Sequence, residues 1–209
     1  KPKEDGIEVF SQGQGVYEDR NSISKILGIP LENVVVSLMP NGGAFGGKED
    51  ISVQGHASLF AHLLQLPVRV ALTRPESLLM HPKRHPMSMD ISMGCDKKGK
   101  LTFIKADIIG DTGAYASVGM KVLERAAGHA TSVYMIPSVE ILSRAVYTNN
   151  VPCGAMRGFG VNQINFAVES CIDELCELGQ FDRWQIRFDN ALKPGDCTST
   201  GQKITSGIG

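Results

Sequence analysis

Ten residues decide the fold and function expected of this chain: Asn41-Gly42-Gly43-Ala44-Phe45-Gly46-Gly47-Lys48-Glu49-Asp50. They follow an apolar run, 34–39, that is typical of a buried strand, and they precede a segment, 50–65, with helical spacing of its apolar residues. Glycine lets the backbone adopt positive φ or approach another group closely. We therefore expect backbone N–H groups at this junction, with the positive end of the following helix, to face an anionic or oxygen-rich group.

Two other interpretations of this stretch remain open from its residues alone. The spacing from Gly42 to Lys48 satisfies the phosphate-binding pattern G-x-x-x-x-G-K-[ST], but Glu49 stands where that loop needs a magnesium-binding hydroxyl. A carboxylate there would repel a triphosphate, so the residue at this position disfavours nucleotide hydrolysis. The other alternative is a glycine-rich turn between a strand and a helix that carries no chemistry.

Composition excludes several classes of protein. The chain has 209 residues, 42% of them hydrophobic, and a formal net charge of -1, which describes an ordinary globular protein without a nucleic-acid partner. No apolar run reaches the length of a membrane span, and the first residues lack the apolar core of a signal peptide. The chain contains five scattered cysteines, Cys95, Cys153, Cys171, Cys176 and Cys197. We expect these to be reduced thiols of a cytoplasmic protein, neither bridged nor bound to a metal.

Hydrophobic periodicity predicts a mixture of strands and helices. Strands are predicted at 7–10, 34–39, 68–72, 87–93, 101–109 and 139–147. Helices are predicted at 17–27, 50–65, 121–130, 162–178 and 182–192, with a helical turn at 75–80. No sustained internal repeat is visible. The order of elements indicates an α+β fold with mixed or antiparallel sheets, forming one partial domain over 1–209 with a sub-domain division near 80–150.

A second stretch matches the first in kind and reveals a family resemblance. Met156-Arg157-Gly158-Phe159-Gly160 again places a phenylalanine among glycines, and Glu124-Arg125-Ala126-Ala127-Gly128-His129 lies between the two stretches. With Arg84-His85-Pro86, Gly110-Asp111-Thr112-Gly113-Ala114-Tyr115 and Asn149-Asn150-Val151-Pro152, they resemble the molybdenum-cofactor subunit of the xanthine dehydrogenase and aldehyde oxidase family. The similarity extends from about Val9 to Leu192 in the family's order. It is greatest to the bacterial selenium-dependent type of xanthine dehydrogenase.

The resemblance implies which residues hold the cofactor. Phe45 and Gly46 correspond to a loop whose backbone approaches the molybdenum ligands and the pterin. Arg157 corresponds to an arginine whose main chain and side chain help to hold the molybdenum–molybdopterin cofactor. Glycines suit this role because a Cβ would exclude a bulky, oxygen-rich group from the backbone.

The resemblance also implies which residues hold the substrate. Glu49 and Arg125 correspond to a pair that grips a purine by its polar edge and takes part in catalysis, and Phe159 to a ring that packs against a flat heteroaromatic substrate. Hydroxylation of a ring carbon builds negative charge on the ring, which a guanidinium can stabilise in the transition state. A carboxylate can share a proton with a ring N–H and fix its orientation. In aldehyde-oxidising relatives these two positions are usually not Glu and Arg, so the pair favours a purine-like substrate.

Each candidate residue also has a structural interpretation. Arg125 is then a solvated or ion-paired helix residue beside Glu124, and Glu49 a first-turn carboxylate stabilised by the helix dipole. Phe45 and Phe159 are then core side chains beside glycines. His81, His85 and His129 show no metal-ligand spacing and are treated as structural, so no metal ligands are predicted. Arg84 and Tyr115 are assigned to packing or hydrogen-bond networks.

The function expected from these residues is that of a portion of a molybdenum hydroxylase that oxidises a purine-like N-heteroaromatic substrate of the xanthine or hypoxanthine type. No equivalent of the family's other cofactor-binding segments is found, so we expect a fragment or one piece of a split subunit, inactive alone. Its expected partners are the remaining segments or subunits, which carry iron–sulfur clusters and FAD, with no nucleic acid and no membrane. The alternatives are a non-catalytic module that binds cofactor or partner subunits, and an aldehyde-oxidising relative.

Overall fold

A computed structural model describes residues 1–207, which divide into two compact units. The first unit comprises Lys1–Arg84 and Val151–Arg157. The second comprises His85–Asn150 and the chain from Gly158 to the end of the described residues. No helix in this described part of the chain is both long enough and apolar enough to cross a membrane.

The first unit is a three-stranded sheet covered by helices. Its elements are β1 (Pro2–Lys3), β2 (Gly6–Ser11), α1 (Val16–Leu27), β3 (Val34–Leu38), α2 (Gln54–Leu64) and α3 (Arg74–Met80). The strand order is β1-β2-β3, with β1 antiparallel and β3 parallel to β2. The core consists of Ile7, Val9, Ile23, Val34 and Ala61. Gly28, in the left-handed conformation, ends α1 and turns the chain back toward β3.

The second unit contains another three-stranded sheet and a larger core. Its elements are β4 (Met87–Cys95), β5 (Leu101–Asp111), α4 (Gly119–Gly128), β6 (Ser138–Val146), α5 (Val161–Gly179) and α6 (Arg183–Asn190). Here β4 is antiparallel and β6 parallel to β5. The alternating residues of β5, including Ile104, Ala106 and Ile108, belong to one core cluster with a stripe of α5, Ile164, Val168 and Ile172. The hairpin between β4 and β5 is closed by Asp96, whose carboxylate accepts backbone N–H groups of Lys98 and Lys100.

The two units share one topology that the sequence does not reveal. Each begins with an antiparallel hairpin, continues through a crossover helix to a strand parallel to the second hairpin strand, and then passes through a glycine–phenylalanine loop to another helix. The prediction of an α+β fold with mixed sheets is confirmed. The parallel pairs β2–β3 and β5–β6 were not predicted as such. They form because each connection is long enough to contain the helix that a parallel crossover requires.

Two predicted elements differ from the structure. Helix α2 begins at Gln54 and not at 50: residues 51 and 52 are outside the helix, and Val53 is its N-cap. Just before the helix, the Ser52 backbone N–H donates a hydrogen bond to the Gln54 side-chain oxygen at 2.8 Å. The predicted strand at 68–72 is wrong. In the described chain these residues form no strand and pair with neither sheet. Their side chains nevertheless alternate between half-buried and exposed, as the sequence pattern requires.

Candidate functional site

The first glycine–phenylalanine loop packs its backbone directly against the stretch that ends at Arg157. Three of its residues have positive φ, namely Gly43 at 116°, Phe45 at 53° and Gly46 at 88°. A Cβ added to Gly46 would lie 2.9 Å from the carbonyl carbon of Ala155. Only glycine tolerates both that approach and that φ, so the contact between the two chain segments explains this residue.

Phe45 and Arg157 form a second link between the same segments. The Arg157 backbone N–H donates to the Phe45 carbonyl oxygen at 2.8 Å. The guanidinium carbon of Arg157 lies 5.8 Å from the centroid of the Phe45 ring, within the range of a cation–π interaction. Both side chains are exposed, with Phe45 at 62%. The structure therefore brings all three predicted cofactor residues into one cluster, and the exposure of Phe45 argues against the core-side-chain interpretation.

Arg84 belongs to this cluster, although the sequence indicated only a packing or network role for it. Its Nη2 donates to the Arg157 carbonyl oxygen at 2.8 Å. Its Nη1 is buried and has no hydrogen-bond partner among the described residues. A buried donor without an acceptor is costly, and an anionic group at this position would satisfy it. With the exposed Arg157 guanidinium, Arg84 makes the cluster suitable for an anionic, oxygen-rich cofactor.

Glu49 lies at the end of the loop and outside any helix. Its backbone N–H donates to the Gly46 carbonyl oxygen at 3.2 Å, which continues the turn. The first residue of α2 is Gln54, so the helix dipole, which acts within the first turn, does not explain an acid at position 49. The Glu49 side chain is exposed and makes no hydrogen bond or ion pair to any described residue.

A buried polar network anchors the segment beneath this loop. The Ser11 hydroxyl donates to the Asp19 carboxylate at 2.7 Å, and the Gln54 amide donates to the same carboxylate at 3.4 Å. The following segment is joined to the loop because the Gln14 backbone N–H donates to the Lys48 carbonyl oxygen at 2.8 Å. Strand β2 and helices α1 and α2 therefore together hold the loop in position.

Arg125 lies on α4 in the second unit. Its side chain is exposed and has no described partner, whereas the neighbouring Glu124 pairs with Lys121 at 3.0 Å. Arg125 therefore makes no ion pair with Glu124, and its exposure agrees with the other structural interpretation, a solvated helix residue. A guanidinium without a protein partner is available for a ligand.

The second glycine–phenylalanine loop packs on the helix that carries Arg125. Phe159 has a φ of 51° and stands between Gly158 at 90° and Gly160 at 98°. A Cβ on Gly160 would lie 2.3 Å from the Val122 carbonyl oxygen, so only glycine allows this loop to lie against α4. Phe159 itself is half-buried and packs against the core of the unit. The structure thus joins the loop of Phe159 to the helix of Arg125, and it supports a packing role for the Phe159 ring.

The same loop opens a helix, as was expected of the first loop. Gly160 is the N-cap of α5, and Val161 is its first residue. The Gln163 amide donates to the His85 carbonyl oxygen at 3.1 Å, which ties this helix start to the beginning of the second unit.

Glu49 belongs to the first unit and Arg125 to the second. The prediction that these two side chains hold one substrate stays a prediction.

A cavity of about 730 Å³ lies within the first unit. Its lining comes mainly from β2, α2 and 67–72, with Lys48 of the first loop, and includes none of the six predicted site residues. The cavity is therefore separate from the cluster of Phe45, Gly46, Arg84 and Arg157.

The described chain contains two units, each with a hairpin, a crossover helix and a glycine–phenylalanine loop, and the arginine cluster beside the first loop is suited to an anionic cofactor. The model of one family, described as "Molybdopterin cofactor-binding domain", matches residues 1–191. The chain belongs to this family, as its sequence resemblance implied.

Individual proteins similar to this chain are named as dehydrogenases or oxidoreductases. The chain is 39% identical to a probable xanthine dehydrogenase subunit of Bacillus subtilis, covering 97% of this chain and 27% of that protein. It is 37% identical to "Nicotinate dehydrogenase large molybdopterin subunit" of Eubacterium barkeri, covering 97% and 48%. Among solved structures, the aldehyde oxidoreductase from Desulfovibrio gigas matches with a TM-score of 0.91 and 30% identity, over 95% of this chain and 22% of that one. The chain thus spans between 22% and 48% of the length of these relatives.

Proposed function

We propose that this chain is part of the large subunit of a molybdenum hydroxylase that hydroxylates a ring carbon of a purine-like N-heteroaromatic substrate. The observation that carries the proposal is the cluster of Phe45, Gly46, Arg84 and Arg157 in a chain of the molybdopterin cofactor-binding family. Glu49 and Arg125 support the substrate class, because each is an exposed charge without a described protein partner.

The cofactor of this proposal is the molybdenum–pterin group. Phe45 and Gly46 would present backbone to it, and Arg157 and the free Nη1 of Arg84 would donate to its anionic oxygens. When bound, the cofactor supplies the oxygen-transfer and redox chemistry. Iron–sulfur clusters and FAD on other domains or subunits would carry the electrons onward.

The substrate is held by groups of three kinds. Arg125 donates to a carbonyl oxygen or ring nitrogen whose negative charge grows in the transition state. Glu49 accepts from a ring N–H and thereby fixes the orientation and tautomer of the heterocycle. Phe159 offers an aromatic edge or face to the flat ring, within the limit set by its partial burial.

Arg125→Met in the complete enzyme tests this proposal. We expect kcat/KM for xanthine to fall by about a hundred- to a thousandfold, the usual effect of losing one transition-state donor. Lys121→Met is the matched control, because Lys121 is exposed on the same helix but pairs with Glu124. Equal, small effects of both substitutions would refute the role of Arg125.

Aldehyde oxidation is the second candidate, favoured by the fold similarity to an aldehyde oxidoreductase. The same variants separate the two candidates. An aldehyde has no second polar edge, so its turnover would not depend on both Glu49 and Arg125. Turnover of aldehydes but not of xanthine by the wild-type enzyme would establish this second candidate. A complete enzyme that retains no molybdenum would instead favour a non-catalytic binding module.

A further inference from the structure

The first glycine–phenylalanine loop is anchored on both sides of its opening residues, 41–43. On the strand side, the Met39 N–H donates to the Ser11 carbonyl oxygen at 2.8 Å. On the other side, the Phe45 carbonyl oxygen accepts the Arg157 N–H. Residues 41–43 are exposed, and in the described chain no backbone hydrogen bond joins them to another segment. The backbone between the two anchors is therefore free to rearrange locally.

This span contains the one Asn-Gly pair in the sequence, Asn41 and Gly42. The backbone nitrogen that follows an asparagine can attack the side-chain Cγ and close a five-membered succinimide ring. Glycine favours this closure because it has no Cβ to crowd the ring and has the widest choice of φ and ψ. The space needed is present, since a Cβ built on Gly42 meets no atom within 4 Å.

A hydrogen bond prepares the Asn41 side chain for this attack. Its Oδ1 accepts the Gly43 N–H at 3.0 Å. The ring closed by this bond contains both reacting atoms, the Asn41 Cγ and the Gly42 nitrogen, so the side-chain amide is held next to the nitrogen that attacks it. Negative charge develops on Oδ1 as the nitrogen adds to Cγ, and the Gly43 N–H stabilises it as an oxyanion-hole donor does.

The attacking nitrogen is also accessible. The Gly42 N–H donates to no described residue, so its deprotonation by solvent hydroxide breaks no hydrogen bond of the fold. Asn21 provides the contrast. It is also followed by a small residue, Ser22, but both lie inside α1, where the N–H of Ser22 belongs to the helical ladder.

We propose that Asn41 is a self-deamidation site, at which the first glycine–phenylalanine loop converts slowly to aspartate and isoaspartate. Hydroxide removes the Gly42 N–H proton, the nitrogen bonds to the Asn41 Cγ, and the side-chain nitrogen leaves as ammonia with a proton from water. Water then opens the imide. Its attack on the main-chain carbonyl gives isoaspartate, and its attack on Cγ gives aspartate. One water is consumed and one ammonia is released, with no change of oxidation state.

The products change the loop in two ways. Both place a carboxylate at position 41, in the loop beside the arginines that suit an anionic cofactor. Isoaspartate also adds one carbon to the backbone between the anchors. Gly43 packs closely against the Phe45 ring, whose Cε2 would lie 2.6 Å from an added Cβ, so this extra length displaces the ring. Both changes weaken the binding of the cofactor. This consequence rests on the proposed function, whereas the deamidation does not.

Peptide mapping by mass spectrometry of the complete enzyme tests the modification. Samples are aged at several pH values beside the same chain in denaturant. We expect the Asn41 amide to be lost at a rate close to that of the denatured chain and in proportion to hydroxide concentration, while Asn21 stays intact in the folded enzyme. Gly42→Ala should slow the loss by at least about tenfold. An Asn41 that survives while the denatured chain converts, or an unchanged rate in Gly42→Ala, would overturn the proposal.

Molybdenum analysis of the same samples tests the consequence separately. Molybdenum content should fall in step with the converted fraction, freshly purified Asn41→Asp should already contain less, and Gly42→Ala should keep its molybdenum during ageing. Conversion without loss of molybdenum would refute the effect on the cofactor. A fresh enzyme that holds no molybdenum would count against the proposed function, while the peptide map would still decide whether Asn41 deamidates.

Discussion

The Arg157 backbone N–H donates to the Phe45 carbonyl oxygen at 2.8 Å, which joins two residues separated by more than a hundred positions in the chain. Gly46 lies beside this bond, with no room for a side chain. The link couples the first glycine–phenylalanine loop to the stretch that leads to the second. Substitutions can probe this link, the elements that support it and the charges that the protein leaves unpaired.

Gly46→Ala should disrupt the link. The new Cβ would meet Ala155 backbone at about 2.9 Å, at a φ of 88° that side chains rarely adopt. We expect a loss of about 1–3 kcal/mol in unfolding free energy and a lower molybdenum content of the purified enzyme. Gly42→Ala is the control, because a Cβ there meets nothing within 4 Å. Molybdenum analysis and thermal unfolding measure the effects, and equal behaviour of the two variants would count against the link.

Arg84→Met should separate cofactor binding from folding. The variant removes a bond to Arg157 but also a buried Nη1 that lacks a partner in the described chain. Stability without cofactor should therefore change little, by about 1 kcal/mol or less, while cofactor content falls. Arg20→Met is the contrasting control. It removes a guanidinium that donates to the Leu31 and Val34 carbonyl oxygens, so it should lower the stability but not the cofactor content. Normal molybdenum content in Arg84→Met would contradict the assignment.

Asn190→Ala should destabilise the second unit. Asn190 is fully buried. Its side-chain oxygen accepts a hydrogen bond from the Leu101 N–H, and its side-chain NH2 donates to the Gly99 and Ile186 carbonyl oxygens. These bonds tie α6 to the hairpin of β4 and β5, and their loss leaves buried backbone groups unsatisfied. We expect a cost of about 2–4 kcal/mol in denaturant unfolding. Asp189→Ala, at the exposed neighbouring position, should cost less than about 0.5 kcal/mol; similar values for both variants would refute the role of Asn190.

Asp111 should make the second unit sensitive to acid. Hydrogen bonds from Thr148, Asn150 and the Gly113 N–H lower the pKa of its carboxyl below the ordinary value. A lowered folded-state pKa means that the stabilisation is fully present above the unfolded-state pKa and is lost as pH falls through the folded one. Melting temperature should therefore fall more steeply below about pH 4 in the wild type than in Asp111→Asn. Parallel pH profiles would contradict this.

Much of the fold followed from local pattern. The bounds of β4, β5 and α5 were predicted closely, because each element is buried on one face. Alternation marks the buried face of β4 and β5, and the stripe of Ile164, Val168 and Ile172 marks that of α5. The start of α2 was missed because the Gln54 side chain bonds the backbone before the helix, which propensity does not reveal. The strand at 68–72 was predicted where none forms, because periodicity reports a side chain's faces but not the presence of a pairing partner.

Some of the predicted site residues lie close together in the structure, whereas their roles stay predictions. The grouping of Phe45, Gly46 and Arg157 followed from family resemblance; in the structure a backbone hydrogen bond joins Phe45 and Arg157, and Gly46 lies against the Ala155 backbone. Arg84 was undervalued because only three-dimensional structure shows that one of its nitrogens is buried without an acceptor. The shared topology of the two units was invisible in the sequence, since a fold can repeat while its side chains do not.

A double-mutant cycle on the complete enzyme tests the central claim most directly. Xanthine kinetics would be measured for Glu49→Gln, Arg125→Met and the combined variant. If both side chains bind one substrate, their effects on kcat/KM are non-additive, with a coupling energy above about 0.5 kcal/mol. Strictly additive effects, or wild-type kinetics in either single variant, would contradict the account.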